Sequence, residues 1–359
     1  MSSRVGHSSL SAKASAWLAV LSDPWARMPA PRGRMQATEL PLLVEAAAAH
    51  GVIPAMTRNL RSFAVGGRAG TIVDDADAQN LVETVSNDLD RRVVVLAGQN
   101  LLLSRHAARI ADELARDAIP ANIVKGPVFA RRLYSQSTDR SFTDIDVLVA
   151  PAALAACFAI LERLGFVRAP GEGRGGRDHD EYKWLLPGNN LILVEIQTDL
   201  IHSPNLATGI RFGHADLLAA GNDNGEDATA LLLTAAVHGA AGHQFERLQP
   251  AIDVLQAARG AAGPIDCERL ARVAEATGST VATQAALDLV AELFNEPLAR
   301  ELADTLSPAP WRRLRRILVS PSVVLRAQAS PASRDSWRRR ALREIIRRTG
   351  KATIQPDAP

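Results

Sequence analysis

Arg140-Ser-Phe-Thr-Asp144-Ile-Asp146-Val-Leu-Val149 is the stretch on which the fold turns. It is β-rich from Phe142 and closed by Pro151. Strand side chains alternate with period two, so Asp144 and Asp146 project from one face while Ile145 and Val147 face the other. Two carboxylates one residue apart repel each other, and burying that edge without a counter-charge is costly. A divalent cation with hard oxygen ligands resolves the conflict. The plain alternative is a solvated strand end that happens to carry Asp-x-Asp, which is the favoured reading of that motif in isolation. Context shifts the balance. Upstream, Ala121–Val124 reads as a strand ending at Lys125-Gly126-Pro127, where the glycine lets backbone amides approach a phosphate. Downstream, Glu195 interrupts the apolar run Leu191–Gln197, out of place unless that strand borders a polar site. Three acidic positions on neighbouring strands beside a glycine turn are the arrangement expected for two-metal phosphoryl transfer.

Working outward, Val128–Tyr134 suits a helix, and Pro151 opens another that stops near Leu164 at Gly165. Phe166–Arg168, Tyr182–Leu186 and Leu191–Gln197 read as strands, the last two joined across Pro187-Gly188-Asn189-Asn190. The expectation is an α+β protein whose core, residues 121–205, is built on a small mixed β-sheet. Residues 1–38 mix Ser, Arg, Pro and Gly without periodicity and read as a flexible leader. Residues 39–120 read as an N-terminal helical region, with long amphipathic helices between Ala76 and Asp117. Residues 206–310 read as a C-terminal helical bundle, with apolar stripes over Ala228–Gly242, Gln249–Arg259, Asp266–Thr277 and Val281–Phe294. Residues 311–359 form an Arg-rich basic tail with helical candidates at Trp311–Leu325 and Ser336–Arg348.

Composition bounds the possibilities. The 359 residues include 41 Lys and Arg against 39 Asp and Glu, with 47% hydrophobic residues, which excludes wholesale disorder. The near-neutral total hides a split. Between Trp311 and Lys351 stand twelve Arg and one Lys against Asp335 and Glu344, leaving 28 basic and 37 acidic residues elsewhere. Such a split points either to a polyanionic partner for the tail or to a tail docked on an acidic body. Cys157 and Cys267 are too few and too far apart for a disulfide scaffold or zinc cage. No apolar run reaches the ~20 residues of a spanning helix, and no cleavage site follows Ala14–Leu21. A cytoplasmic setting is the default.

Lys125-Gly126, Leu133-Tyr134, Arg140, Asp144-Ile-Asp146-Val-Leu-Val149, Gly165-Phe166 and Val194-Glu195-Ile196 together resemble an uncharacterised bacterial nucleotidyltransferase family within the DNA polymerase β-like superfamily. The resemblance covers residues from about 40 to 300. It implies a polymerase-β-like nucleotidyltransferase core, with Asp144 and Asp146 as paired metal ligands and Glu195 as the third carboxylate. Two Mg²⁺ ions are implied, with Mn²⁺ as a substitute. Gly126 matches the glycine turn under the triphosphate. The family pattern has Gly-Gly or Gly-Ser there, whereas this chain has Gly126-Pro127, so Lys125 or Arg140 would supply the missing contact. Gln197 stands where relatives often have His. The implied activity is transfer of a nucleotide from an NTP, with ATP as the default donor, to an acceptor hydroxyl or phosphate, releasing pyrophosphate. The acceptor would be a small molecule, a peptide or protein, or RNA. Two alternatives stay open: a catalytically weak nucleotide- or RNA-binding scaffold with the same fold, and a transferase using another activated phosphate donor on a peptide or metabolite.

Lys183, between Tyr182 and Trp184, is a candidate nucleotide-binding residue against a solvated strand position. His238 and His243 are five apart, so on an α-helix they do not share a face as an i,i+4 pair would, and structural roles are favoured over lining a cleft. Gly171–Gly176 lacks the strand-to-helix context of a dinucleotide fingerprint and reads as a loop; a lid carrying Arg174 or Arg177 over phosphates is the sharper reading. Asp253 reads as a bridge between helices.

Overall fold

The computed structural model describes residues 10–170, 181–222, 224–306, 314, 317–326 and 336–350. The Gly171–Gly176 segment, with Arg174 and Arg177, and residues 311–313, 315 and 316 of the Trp311–Leu325 candidate lie outside the described residues.

The α+β expectation holds. Five strands make one sheet: β1 (Ala121–Val124), β2 (Ile145–Val149), β3 (Val167–Arg168), β4 (Glu181–Leu186) and β5 (Asn189–Gln197), in the order β1-β2-β5-β4-β3. The β2–β5 pair is parallel and the others antiparallel, so the sheet is mixed. Alternation divides its faces. Ile145, Val147 and Val149 join Val194, Ile196 and Trp184 in a buried layer under helices α4 (Ala78–Arg116) and α6 (Leu154–Arg163). The opposite face carries Asp146, Glu195 and Gln197. β2 begins at Ile145, one residue after Asp144.

The leader expectation needs correction. Ser11 caps helix α1 (Ala12–Ser22), and Trp17, Leu18 and Leu21 are fully buried. Trp17 meets Phe63 of α3 (Ile53–Val65) edge to face at 5.4 Å. The buried Asn59 amide donates to the carbonyls of Leu21 and Asp23, both at 2.9 Å. Apolar burial alone at these positions offsets a substantial ordering cost, which is why a Ser- and Arg-rich segment nonetheless holds a helix. Between α1 and α3, helix α2 (Leu40–His50) stops at Gly51, whose φ of +73° supplies the left-handed cap. The Ala76–Asp117 region is one helix of 39 residues, uninterrupted at Gly98.

Helix α5 (Gly126–Leu133) follows β1. Behind the sheet come α7 (Pro204–Ala207), α8 (His214–Ala220), α9 (Ala228–Val237), α10 (Leu248–Ala258), α11 (Cys267–Ala276), α12 (Thr280–Leu293), α13 (Pro297–Thr305), α14 (Pro321–Arg326) and α15 (Trp337–Thr349). Every residue of α9 is buried, which explains its continuous apolar run. Leader, N-terminal helices, bundle and tail are not separate bodies: Trp17, Leu43, Met56, Leu232, Leu255, Val324, Leu342 and Ile346 share one core. Among the described residues no helix is long and apolar enough to cross a membrane.

Candidate active site

The parallel register sets Asp146 opposite Glu195, and the antiparallel register sets Glu195 opposite Lys183. Three neighbouring strands thereby carry a row of charge, −, − and +, across one face of the sheet. Asp144 lies just before β2, and with Asp146 and Glu195 it lines a cleft of about 320 Å³. Glu181 and Gln197 form the next row. A larger groove of about 670 Å³ between α4 and α5 is mostly apolar. Its Arg131 and Glu226 are paired with each other at 2.6 Å, so it offers little chemistry.

Electrostatics in the cleft are strained. Burial, then the charges of Asp146 and Glu195, push the Asp144 carboxyl up to about 6. Burial, then a hydrogen bond and repulsion from Glu181, raise Glu195 as well. Two lysines partly balance this excess. Lys125 Nζ lies 2.7 Å from Asp146 Oδ1, with both side chains buried, and Gln197 Nε2 donates to the same oxygen at 3.2 Å. Lys183 Nζ lies 3.3 Å from Glu195 Oε1 and 3.9 Å from Glu181 Oε1.

The turn beneath the cleft is built under backbone strain. Lys125 has φ +54° and ψ −129°, a conformation that costs a non-glycine residue on the order of 1–3 kcal/mol. Gly126 opens α5, and a Cβ there would come 3.3 Å from the Asp144 carbonyl and 3.4 Å from the Phe142 ring. Glycine therefore permits the close approach of this turn to the Asp144 strand. Pro127 in the first turn of α5 needs no N–H there.

Arg140 corrects an expectation. Rather than presenting an open guanidinium to phosphate, it is buried, donating to both oxygens of Asp253 at 2.8 and 2.9 Å and to the Gly126 carbonyl at 3.2 Å. Burial would lower its pKa, but the charge and hydrogen bonds of Asp253 outweigh this and hold it above its ordinary value. Asp253 also accepts from Tyr134 Oη at 2.7 Å. Arg140 thus braces the glycine turn against α10, and Asp253 bridges elements as expected.

Three histidines, His202, His238 and His243, also line the cleft, and His202 Nδ1 lies 3.8 Å from Glu181 Oε2. His238 and His243 meet edge to face, with ring centroids 4.5 Å apart. The α-helical expectation fails here because His238–Gly242 is a π-helical turn, closed by the His243 amide on the His238 carbonyl at 3.0 Å. An i→i+5 turn stacks residues five apart, and such turns are frequent at functional sites. Burial, then the charge of Lys125, pushes His238 well below its ordinary value; burial, again with Lys125, pushes His202 down to about 4. Glu181 and His202 escaped the sequence reading. The available signal was the alternation of Glu181 and Lys183 along one strand, facing Glu195.

A cleft of carboxylates on a mixed sheet, floored by a glycine turn at a helix N-terminus, is a setting for phosphoryl chemistry. The chain belongs to the family described as an uncharacterised nucleotidyltransferase, which it matches over residues 36–295. It is a transferase of phosphorus-containing groups, and a nucleotide is its substrate. No curated protein matches the chain. No solved structure matches it either.

The donor set suits a hard divalent cation: Asp144, Asp146 and Glu195 offer oxygens alone, and the raised pKa values of Asp144 and Glu195 mark negative charge that a cation would relieve. As the side chains stand, the lysines supply the positive charge. Among the described residues no group of three or more His, Cys, Asp or Glu is arranged to hold an ion.

Proposed function

We propose that the protein transfers a nucleotide from an NTP, with ATP the default donor, to an acceptor hydroxyl or phosphate, releasing pyrophosphate from a polymerase-β-like core. The observation that carries this reading is the register of Asp146 against Glu195, with Asp144 one residue ahead of the strand, in a single cleft. Asp144, Asp146 and Glu195 would hold Mg²⁺, or Mn²⁺ in its place. The ions, when bound, supply Lewis-acid stabilisation of charge on the reacting phosphate and lower the acceptor's pKa. Lys125 and Lys183 are the cations nearest the carboxylate row and would meet triphosphate oxygens. The N-terminus of α5 at Gly126 favours negative charge through the backbone dipoles of its first turn. Arg140, tied to Asp253, would keep that turn in register with the carboxylates. The outward basic face of α15 would contact a polyanion such as RNA.

The test is calorimetric titration of ATP with and without Mg²⁺, followed by a pyrophosphate-release assay over candidate acceptors. Metal-dependent binding and pyrophosphate release are the expected results. Metal-independent binding without release would support the second reading, a nucleotide- or RNA-binding scaffold. That reading is favoured by one observation, the buried Lys125–Asp146 ion pair, which neutralises a carboxylate the chemistry needs.

A further inference from the structure

The carboxylate row leaves the opposite wall of the cleft unexplained. His243 lines that wall with about a third of its side chain exposed, and its Nδ1 lies 2.9 Å from Glu246 Oε1. The other oxygen of Glu246 lies 3.1 Å from Nη2 of Arg339, which comes from α15 in the basic tail. The same Arg339 nitrogen donates to the His243 carbonyl and to Gln244 Oε1, each at 3.1 Å. Glu246 and Arg339 are both buried. Gln244 and Phe245 take left-handed φ values of +48° and +52°, unusual for two successive non-glycine residues. This curl returns the Glu246 carboxylate to the Nδ1 edge of the His243 ring. The hydrogen bond from His243, reinforced by Arg339, holds the Glu246 carboxyl down to about 2, so it stays ionised.

A histidine with one nitrogen bound to a buried carboxylate and its ring edging a reaction cleft is built as a proton acceptor. We propose that His243 is the general base that takes the proton of an acceptor hydroxyl, with Glu246 fixing its tautomer and Arg339 of the C-terminal helix positioning Glu246. The proposal rests on the nucleotidyl-transfer reading and narrows it: a phosphate acceptor has no proton that needs removal, so the acceptor is an alcohol. As the acceptor oxygen bonds to the α-phosphorus, its O–H bond breaks and the proton passes to His243 Nε2. The bond from the α-phosphorus to pyrophosphate breaks, and its electron pair leaves on pyrophosphate. The Nδ1 proton stays in the bond to Glu246, whose charge stabilises the imidazolium. Arg339 is a positioning residue, and it gives the tail helix a part in the active site.

The test uses the full chain with ATP, Mg²⁺ and glycerol as a hydroxyl probe, reading pyrophosphate release, together with imidazole ¹⁵N NMR on histidine-labelled protein. His243→Gln should lower kcat by about 100-fold or more while leaving KM for ATP unchanged. His243→Gly should regain activity with added imidazole, and Arg339→Gln should lose less activity and gain nothing from imidazole. NMR should find His243 protonated at Nδ1 in the unaltered chain and redistributed in Glu246→Gln, a readout independent of turnover. Undiminished kcat in His243→Gln, or an Nε2-protonated ring in the unaltered chain, overturns the proposal alone. Absence of pyrophosphate from the unaltered chain, with glycerol and with every other candidate acceptor alike, overturns the nucleotidyl-transfer reading and the proposal with it.

Discussion

At Asp144 the demands of folding and chemistry diverge. Its folded pKa of about 6 stands above the ordinary carboxylate value, so its charge costs stability that is absent at low pH and fully felt once pH exceeds about 6. Asp144→Asn should therefore raise the melting temperature, by a stability gain of about 1–2 kcal/mol at pH 8 that shrinks toward pH 4, while abolishing nucleotidyl transfer. Paired thermal melts and activity assays check both halves; an active variant would sink the metal assignment. The carboxylates were legible from sequence because period two and an acidic residue in an apolar strand are local signals. His202 was not, since only the turn after β5 brings it to the cleft, and the alternation of Glu181 with Lys183 gains its meaning only from cross-strand register. From sequence alone Arg140 reads as a phosphate ligand because its partner, Asp253, lies 113 residues further on.

At the scale of elements, two buried polar contacts lock helices around the site. The Arg140–Asp253 pair joins the glycine turn to α10, and removing one partner strands a buried charge. Asp253→Leu should cost about 3–5 kcal/mol in denaturant unfolding, and adding Arg140→Met should recover most of it. His50, at the end of α2, accepts from the Leu248 amide at Nδ1 (3.2 Å) and faces the Leu325 carbonyl through Nε2 at 3.4 Å. Burial lowers its pKa to about 4, below the unfolded value of about 6.5, so stability is lost as pH falls through that window. The loss has a ceiling of about 3 kcal/mol, and His50→Gln, which cannot titrate, should flatten the acid limb of a stability–pH profile. Elements with strong periodicity were legible: the strands and most of the bundle helices match their expected spans to within a few residues. The π turn at His238 was not, because its stacking depends on a backbone geometry that apolar spacing does not encode. Nor was α1, whose Trp17 packs on Phe63, 46 residues further along the chain.

Across the whole molecule, distant termini are drawn into one core. Arg259, at the end of α10, reaches Asp23 at 2.5 Å and Glu296 at 2.6 Å, all three buried. Deleting residues 1–30 would remove Trp17 and Leu21 and strand Arg259, so the truncated chain should lose several kcal/mol and melt markedly lower by calorimetry. The tail helix is equally committed, through Leu342 and Ile346. Helix α4 ties these parts together. At 1.5 Å per residue its 39 residues span about 58 Å, with Val82 and Leu89 in the helical core and Leu103, Ile110 and Leu114 under the sheet. Near its middle, Asn100 donates to the Arg140 carbonyl at 2.8 Å and accepts from the Phe142 amide at 3.3 Å. The lead-in to β2 therefore hangs from near the midpoint of a beam anchored at both ends. Any bend or tilt of that helix would therefore carry the backbone of Arg140 and Phe142 with it.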